Sequence, residues 1–203
     1  MSLAALLKYR VALITLLFGA FGGALTFLLQ IDEMENYYRA LAPLLALVVS
    51  LLISFLLKMK WGTKARNILK VIAAVSFVFL LISIFFYTRL FLAATFPFAN
   101  SDGKTSYYVR GDKDAYTQLA LDFKNKNPGI TSDSEIIRNG FEGPHNKRFV
   151  WAEESISKNL LCLIAGYCVI VILFVGIISM LSEIQVLKYS QSTRKTSVQR
   201  LVI

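Results

Sequence analysis

Cysteine is nearly absent from this sequence. The two present, Cys162 and Cys168, lie six positions apart in one apolar run. A helix puts them on different faces, which excludes an intrachain bridge between them. None falls between residues 96 and 158, so a disulfide-stapled secreted domain is excluded there. A single histidine, His145, stands in a Gly-Pro-His-Asn turn with no second histidine or cysteine nearby. Metal centres need three or four converging ligands, so neither a metal nor another cofactor is expected. The spacing of Arg138 and His145 superficially matches a nuclease pair, but Gly140, Gly143 and Pro144 interrupt any shared helix. The sequence also lacks a glycine-rich phosphate loop, a nameable Ser-His-Asp set, and paired carboxylates within its apolar runs. Catalysis has no visible residues, and the expectation is a non-enzyme. No N-glycosylation sequon occurs in residues 96–158, which fits a bacterial source.

What is abundant is apolar sequence, 56 % of 203 residues. A bilayer core of about 30 Å needs roughly 20 apolar residues of helix. Four runs qualify: Val11 to Gln30, Leu41 to Leu57, Val71 to Thr95 and Leu160 to Ser182. Pro43 falls near the expected start of the second, where a helix tolerates it. The third carries Arg89 near its end, where a long stem can lift the guanidinium to the headgroups. The first run is read as a span. A cleaved signal peptide, with Gly22, Gly23 and Ala24 as its small-residue site, is the lesser alternative because the run exceeds a usual apolar h-region.

Charge sets the orientation. Lys8 and Arg10, then Lys58, Lys60, Lys64, Arg66 and Lys70, then Lys188, Arg194, Lys195 and Arg200 occupy segments that hold no acid. The connection 31–40 carries Asp32, Glu33 and Glu35 against Arg39, and residues 96–158 balance nine basic with nine acidic side chains. Basic segments resist translocation, so both termini are expected in the cytosol and 31–40 and 96–158 outside an inner membrane. The predicted layout is a cytosolic N-terminus 1–10, a first span 11–30, an outer loop 31–40, a second span 41–57 and a basic loop 58–70. A third span 71–95, an extracytosolic domain 96–158, a fourth span 159–183 and a basic tail 184–203 follow. The fold class is an all-α membrane protein with four transmembrane helices and a small α+β external domain between the third and fourth.

Within that domain, Thr105 to Arg110 reads as a strand between Asp102-Gly103 and Gly111-Asp112 turns. Ala115, Leu119 and Phe123 repeat at helical spacing, with Asp112 as candidate N-cap and Asn127-Pro128-Gly129 as the stop. Ser132 and Glu135 have capping-box spacing for a short helix ended by Gly140. Residues 141–150 read as loop, and Trp151 stands where aromatic side chains anchor a membrane interface, just before a helix that leads into the fourth span.

Two surfaces are candidates for association. Gly19 and Gly23, with Gly166 and Gly176 in the fourth span, permit close helix packing, either within one bundle or between protomers of a homo-oligomer. The cytosolic lysines and arginines around Trp61, with those of the tail, contact anionic lipid or recruit a soluble cytosolic partner. Direct nucleic-acid binding is not expected, since few aromatic side chains accompany the charge. Ser50 with Ser54, and Ser76 with Ser83, share helix faces and are the only weak sign of a pore.

Three resemblances follow from these residues. Tyr107-Tyr108-Val109-Arg110-Gly111-Asp112 with Tyr116, Leu119, Ala120, Phe123 and Asn127-Pro128-Gly129-Ile130 resembles the first strand and helix of extracellular solute-binding proteins, as a shared βα unit. A small first and large second outer loop resemble tetraspanins, whose cysteine signature is missing from Gly103 to Trp151. In length, span count, charge asymmetry and basic tail, the whole layout resembles the four-pass membrane subunit of bacterial Kiwa anti-phage systems. That resemblance implies a membrane sensor that reports phage attachment and recruits a DNA-binding cytosolic protein through its cytosolic loop and tail. The expectation is therefore an oligomeric inner-membrane sensor and anchor. A pore-forming effector and an accessory subunit of a transporter or membrane enzyme are the alternatives.

Overall fold

The computed structural model describes residues 31–57, 63–99 and 103–200; at 32, 36, 39, 54, 56–57, 63–66 and 185–200 it describes the backbone alone. The chain is mostly helical, with one two-stranded sheet. A single 3₁₀ turn at Asp32–Met34 leads into α1 (Glu35–Leu57), and α2 (Thr63–Ala94) follows. Strands β1 (Thr95–Ala99) and β2 (Thr105–Val109) come next, then α3 (Gln118–Lys126), α4 (Asp133–Gly140), a 3₁₀ turn Pro144–Phe149 and α5 (Glu153–Arg200). The chain divides into two units. Among the described residues, a helical unit takes 41–84 and 168–200, and a mixed unit takes 31–40 and 85–167.

In the helical unit α5 buries Ile170, Val171, Val175, Ile177 and Met180, whereas the buried positions of α1 are small. On α1 the buried positions are Ala42 and Ala46, while Leu44, Leu47, Val48, Leu51, Leu52 and Phe55 are exposed. On α2, Leu69, Ala73 and Leu80 form a narrow buried stripe between exposed Val71, Val75, Phe77, Val78 and Phe79. Leu69, Ala73 and Met180 cluster with Ile53 and Ile184 around them. A soluble bundle buries its large apolar side chains; the reverse arrangement on α1 suits a solvent as apolar as leucine, where small residues bring backbones together. Two helices, over Asn67–Ala94 and Glu153–Ile184, are long and apolar enough to cross a membrane, and only 17 % and 33 % of their most apolar stretches are buried. Core helices of a soluble protein are mostly buried, so these values favour lipid contact. On α1 the apolar stretch is shorter, Ala40–Ile53.

Three boundaries differ from expectation. Helix α1 starts at Glu35, so Pro43 lies inside it rather than at its first turn. Thr95 opens β1 instead of closing the third span. Pro97 two residues on cannot continue a helix, Thr95 Oγ1 donates to the carbonyl of Phe91 at 2.7 Å, and Phe96 and Pro97 pair opposite Tyr108 and Tyr107. Helix α3 starts at Gln118 with Thr117 as its N-cap, not Asp112. Asp112 is drawn to α5: its backbone N–H donates to Ser155 Oγ at 2.7 Å, and its carboxylate accepts from Lys158 Nζ at 3.1 Å and Asn159 Nδ2 at 3.3 Å. Residues 115–117 meanwhile pair with 150–152, as Thr117 N–H donates to Val150 O and Ala152 N–H to Ala115 O, both at 2.9 Å.

Other expectations hold locally. β2 ends one residue before the predicted strand, and the capping box forms: Ser132 Oγ accepts from Glu135 N–H and Glu135 Oε2 from Ser132 N–H. The tail, read by composition alone, continues as helix to Arg200.

Trp151 is the core of the mixed unit. Its ring lies 5.6 Å from that of Phe96 and stacks on Tyr116 at 5.8 Å, with Val109, Val150, Ile136 and Ile137 also fully buried in this unit. Gly111 admits that packing, because a Cβ there would lie 2.5 Å from Trp151 Cβ. The indole is 0 % exposed, so the membrane-interface role expected of it is corrected: no face of the ring is left for headgroups.

Candidate functional site

The mixed unit carries a polar recess of about 440 Å³, lined by Arg110, Lys113, Tyr116, Lys124, Thr131, Ser132 and Asp133. Each lining group is held by a local cause. Arg110 follows the last residue of β2 and is anchored through Nε to the Ala93 carbonyl at 2.8 Å. Tyr116 is fixed by the bridge to Trp151 and the stacking of the two rings. Lys124, in the last turn of α3, sits over the Tyr116 ring, its Nζ 4.3 Å from the centroid. The capping box at Ser132 sets the start of α4 and brings Asp133 inward.

Asp133 is the hub. Its Oδ2 forms an ion pair with Arg110 Nη1, and its Oδ1 accepts from the Tyr116 hydroxyl at 2.7 Å. Both side chains of the ion pair are largely sequestered, at 16 % and 11 % exposure, so the pair fixes geometry more than it adds stability. Burial pushes the Tyr116 phenol above its usual 10.0, and the hydrogen bond to the Asp133 carboxylate pushes it the same way. Beneath it, the Trp151 indole N–H is buried without a hydrogen bond of ordinary geometry, and the Tyr116 hydroxyl is a polar group it interacts with.

A second constellation ties residues 31–40 to the rest of the mixed unit. Lys147 Nζ forms an ion pair with Glu33 and donates to the Val109 carbonyl at 3.1 Å. Burial lowers the Lys147 ammonium below its usual 10.5, against the opposing pull of Glu33. Ile31 bridges to Tyr107, and Ile31 and Met34 are fully buried. Tyr38 completes the tie: its hydroxyl is 3.0 Å from that of Tyr87 and its ring is 4.5 Å from Tyr167, edge-on.

The residues singled out from sequence fall elsewhere. Gly19, Gly23, Lys58, Lys60 and Trp61 lie outside the described residues. Lys64 and Arg66 are on the first turns of α2, and Lys188, Arg194, Lys195 and Arg200 on the last third of α5, with backbone alone described. Lys70 and Arg89 are exposed on α2. Gly166 lets the Tyr87 ring approach, since a Cβ would lie 2.9 Å from Tyr87 Cδ2, and Gly176 faces Ile53 at ordinary contact distance. Those two glycines make their contacts within the chain. His145 is exposed in its turn, and among the described residues no three His, Cys, Asp or Glu side chains converge.

Sequence reasoning missed the recess. Arg110 and Asp133 are 23 residues apart, and no motif pairs them; the one local signal was the capping box, which located the start of α4 without disclosing what it delivers. No family model matches the chain, and no curated protein or solved structure is similar to it. The recess offers cationic and hydroxyl donors on a fixed frame, which is the chemistry of anion binding.

Proposed function

We propose that this chain is a non-enzymatic, four-span inner-membrane protein that senses an event at the outer face and docks a soluble cytosolic partner. The observation that carries the topology is the make-up of the mixed unit. The chain leaves it at Ala40 and rejoins it at Phe85, and an excursion that starts and ends in one unit crosses a bilayer twice or not at all. The large apolar side chains exposed along α1 and α2 favour twice. With 23 residues, α1 is about 34 Å long, enough to reach across the hydrocarbon core. Residues 58–70, which follow α1, hold Lys58, Lys60, Lys64, Arg66 and Lys70 and no acid, as a cytosolic segment should. Helix α5 then carries the chain from the outer unit to the basic tail. The two segments with outer-loop character, 31–40 and 96–158, belong to one folded unit, which supports their lying on the same side.

Sensing and docking rest on this layout. The mixed unit is a folded body with a polar recess, and Lys64, Arg66 and the tail charges lie on helices. The layout resemblance to Kiwa membrane subunits supports anti-phage defence as the setting, and the small external core supports homo-oligomers as the working form.

Topology is tested in a cysteine-free background. Tyr37→Cys and Lys104→Cys should react with a membrane-impermeant maleimide in intact cells, and Lys70→Cys only after permeabilisation; early labelling of Lys70→Cys overturns the α1–α2 crossing. Docking is tested by affinity purification from gently solubilised membranes. A stoichiometric soluble partner is expected, and it should be lost when Lys58, Lys60, Lys64, Arg66 and the tail charges are neutralised while insertion persists. A bare homo-oligomer that leaks ions from liposomes would replace the sensor with a pore.

A further inference from the structure

We propose that the recess between β2, α3 and α4 is a binding site for a phosphate group. Three cations line it, Arg110, Lys113 and Lys124, against one carboxylate, Asp133. The carboxylate is already spent: one oxygen is paired with Arg110 and the other accepts from Tyr116, so it does not neutralise the lysines. No ion pair engages Lys113 or Lys124 among the described residues. Lys124 is held in place by the electron-rich face of Tyr116 rather than by an anion, which fixes the ammonium and leaves its N–H donors to a ligand. The Ser132 oxygen accepts from Glu135 N–H, so its own O–H is left to donate, and Thr131 also lines the recess.

The sum is a recess with two net positive charges and two hydroxyl groups, those of Thr131 and Ser132. That complement matches a tetrahedral dianion better than a monocarboxylate, which two ammoniums would overcompensate. The volume, about 440 Å³, is within the range of small-molecule sites and exceeds what a bare phosphate fills. The group is therefore carried either by a soluble phosphomonoester or by a lipid headgroup, and the recess chemistry is the same for both. This inference extends the outer-face sensing proposed above by naming a ligand class, but the recess lies within one unit and does not depend on the spans.

The test uses the full chain in nanodiscs of zwitterionic lipid, with calorimetric titration of inorganic phosphate and glycerol phosphate. A second set of nanodiscs includes phosphatidic acid, and hydrogen exchange is followed across residues 110–135. Saturable heat from either soluble ligand supports a soluble source; protection of residues 110–135 that appears only with phosphatidic acid supports a headgroup. In either arm Lys113→Gln and Lys124→Gln should each weaken binding about tenfold, the worth of one charge-assisted contact. Lys104→Gln, outside the recess, should change nothing. The melting temperature of Lys113→Gln should stay at the wild-type value and that of Lys124→Gln should fall only slightly, by the loss of its contact with the Tyr116 ring, which separates a lost site from a lost fold. Absence of heat and of protection in all arms overturns the assignment, as does wild-type affinity in the Lys113→Gln, Lys124→Gln double variant. The topology experiments above are independent, so failure of one reading leaves the other standing.

Discussion

At the scale of single residues, the mixed unit depends on one indole. Trp151 is packed against Phe96, Tyr116 and the backbone of Gly111, and it is the largest fully buried side chain of the unit. Trp151→Ala should cost about 3–5 kcal/mol and expose residues 103–152 to protease at temperatures where wild type resists. Tyr116 gives a pH signature. Its folded pKa lies above the unfolded 10.0, so its contribution is complete below pH 10 and is lost as the pH rises through the folded value. A phenolate absorbance titration should therefore show a late-ionising group that disappears in Tyr116→Phe, and the variant's stability should fall less steeply above pH 10. None of this was legible in sequence. A tryptophan beside a predicted span reads as an interface anchor by frequency alone, and its burial follows from the 115–117 and 150–152 pairing, which joins segments over 30 residues apart.

At the scale of elements, local chemistry was legible and long-range pairing was not. Ser132 and Glu135 stand three residues apart and form the box their spacing predicts. Ser132→Ala should remove about 1 kcal/mol, read as a lowered melting temperature, with Ser132→Asp restoring much of it. Strand β1 was hidden because Thr-Phe-Pro-Phe-Ala continues an apolar run, and only Pro97 betrays the break. The start of α3 was misplaced because Asp112, a good N-cap in isolation, is bound to Lys158 and Asn159 of α5 instead. Helix α1 poses a sharper test, since it buries alanine and exposes leucine. Ala46→Leu should destabilise the helical unit by about 1–3 kcal/mol through overpacking, whereas the neighbouring Leu47→Ala should be nearly silent in detergent unfolding. A soluble bundle would respond in the opposite order.

At the scale of the whole molecule, the charge asymmetry and four apolar runs led to the expectation that 31–40 and 96–158 share a side, and the fold adds that these two segments belong to one compact unit. Glu33 and Lys147, 114 positions apart, are paired with side chains 29 % and 12 % exposed. Glu33→Gln should cost about 1.5–3 kcal/mol, since it leaves a buried ammonium with only the Val109 carbonyl. The expected readout is faster hydrogen exchange in residues 31–40 and 144–150 together, ahead of the remaining mixed unit. The burial of Trp151 has an optical consequence as well. The chain has two tryptophans, so Trp61→Phe leaves an emission spectrum that belongs to one indole enclosed by aromatic rings. That indole stacks on Tyr116, the floor under Lys124, so its colour and lifetime report on the mixed unit within the full-length protein, without an added dye.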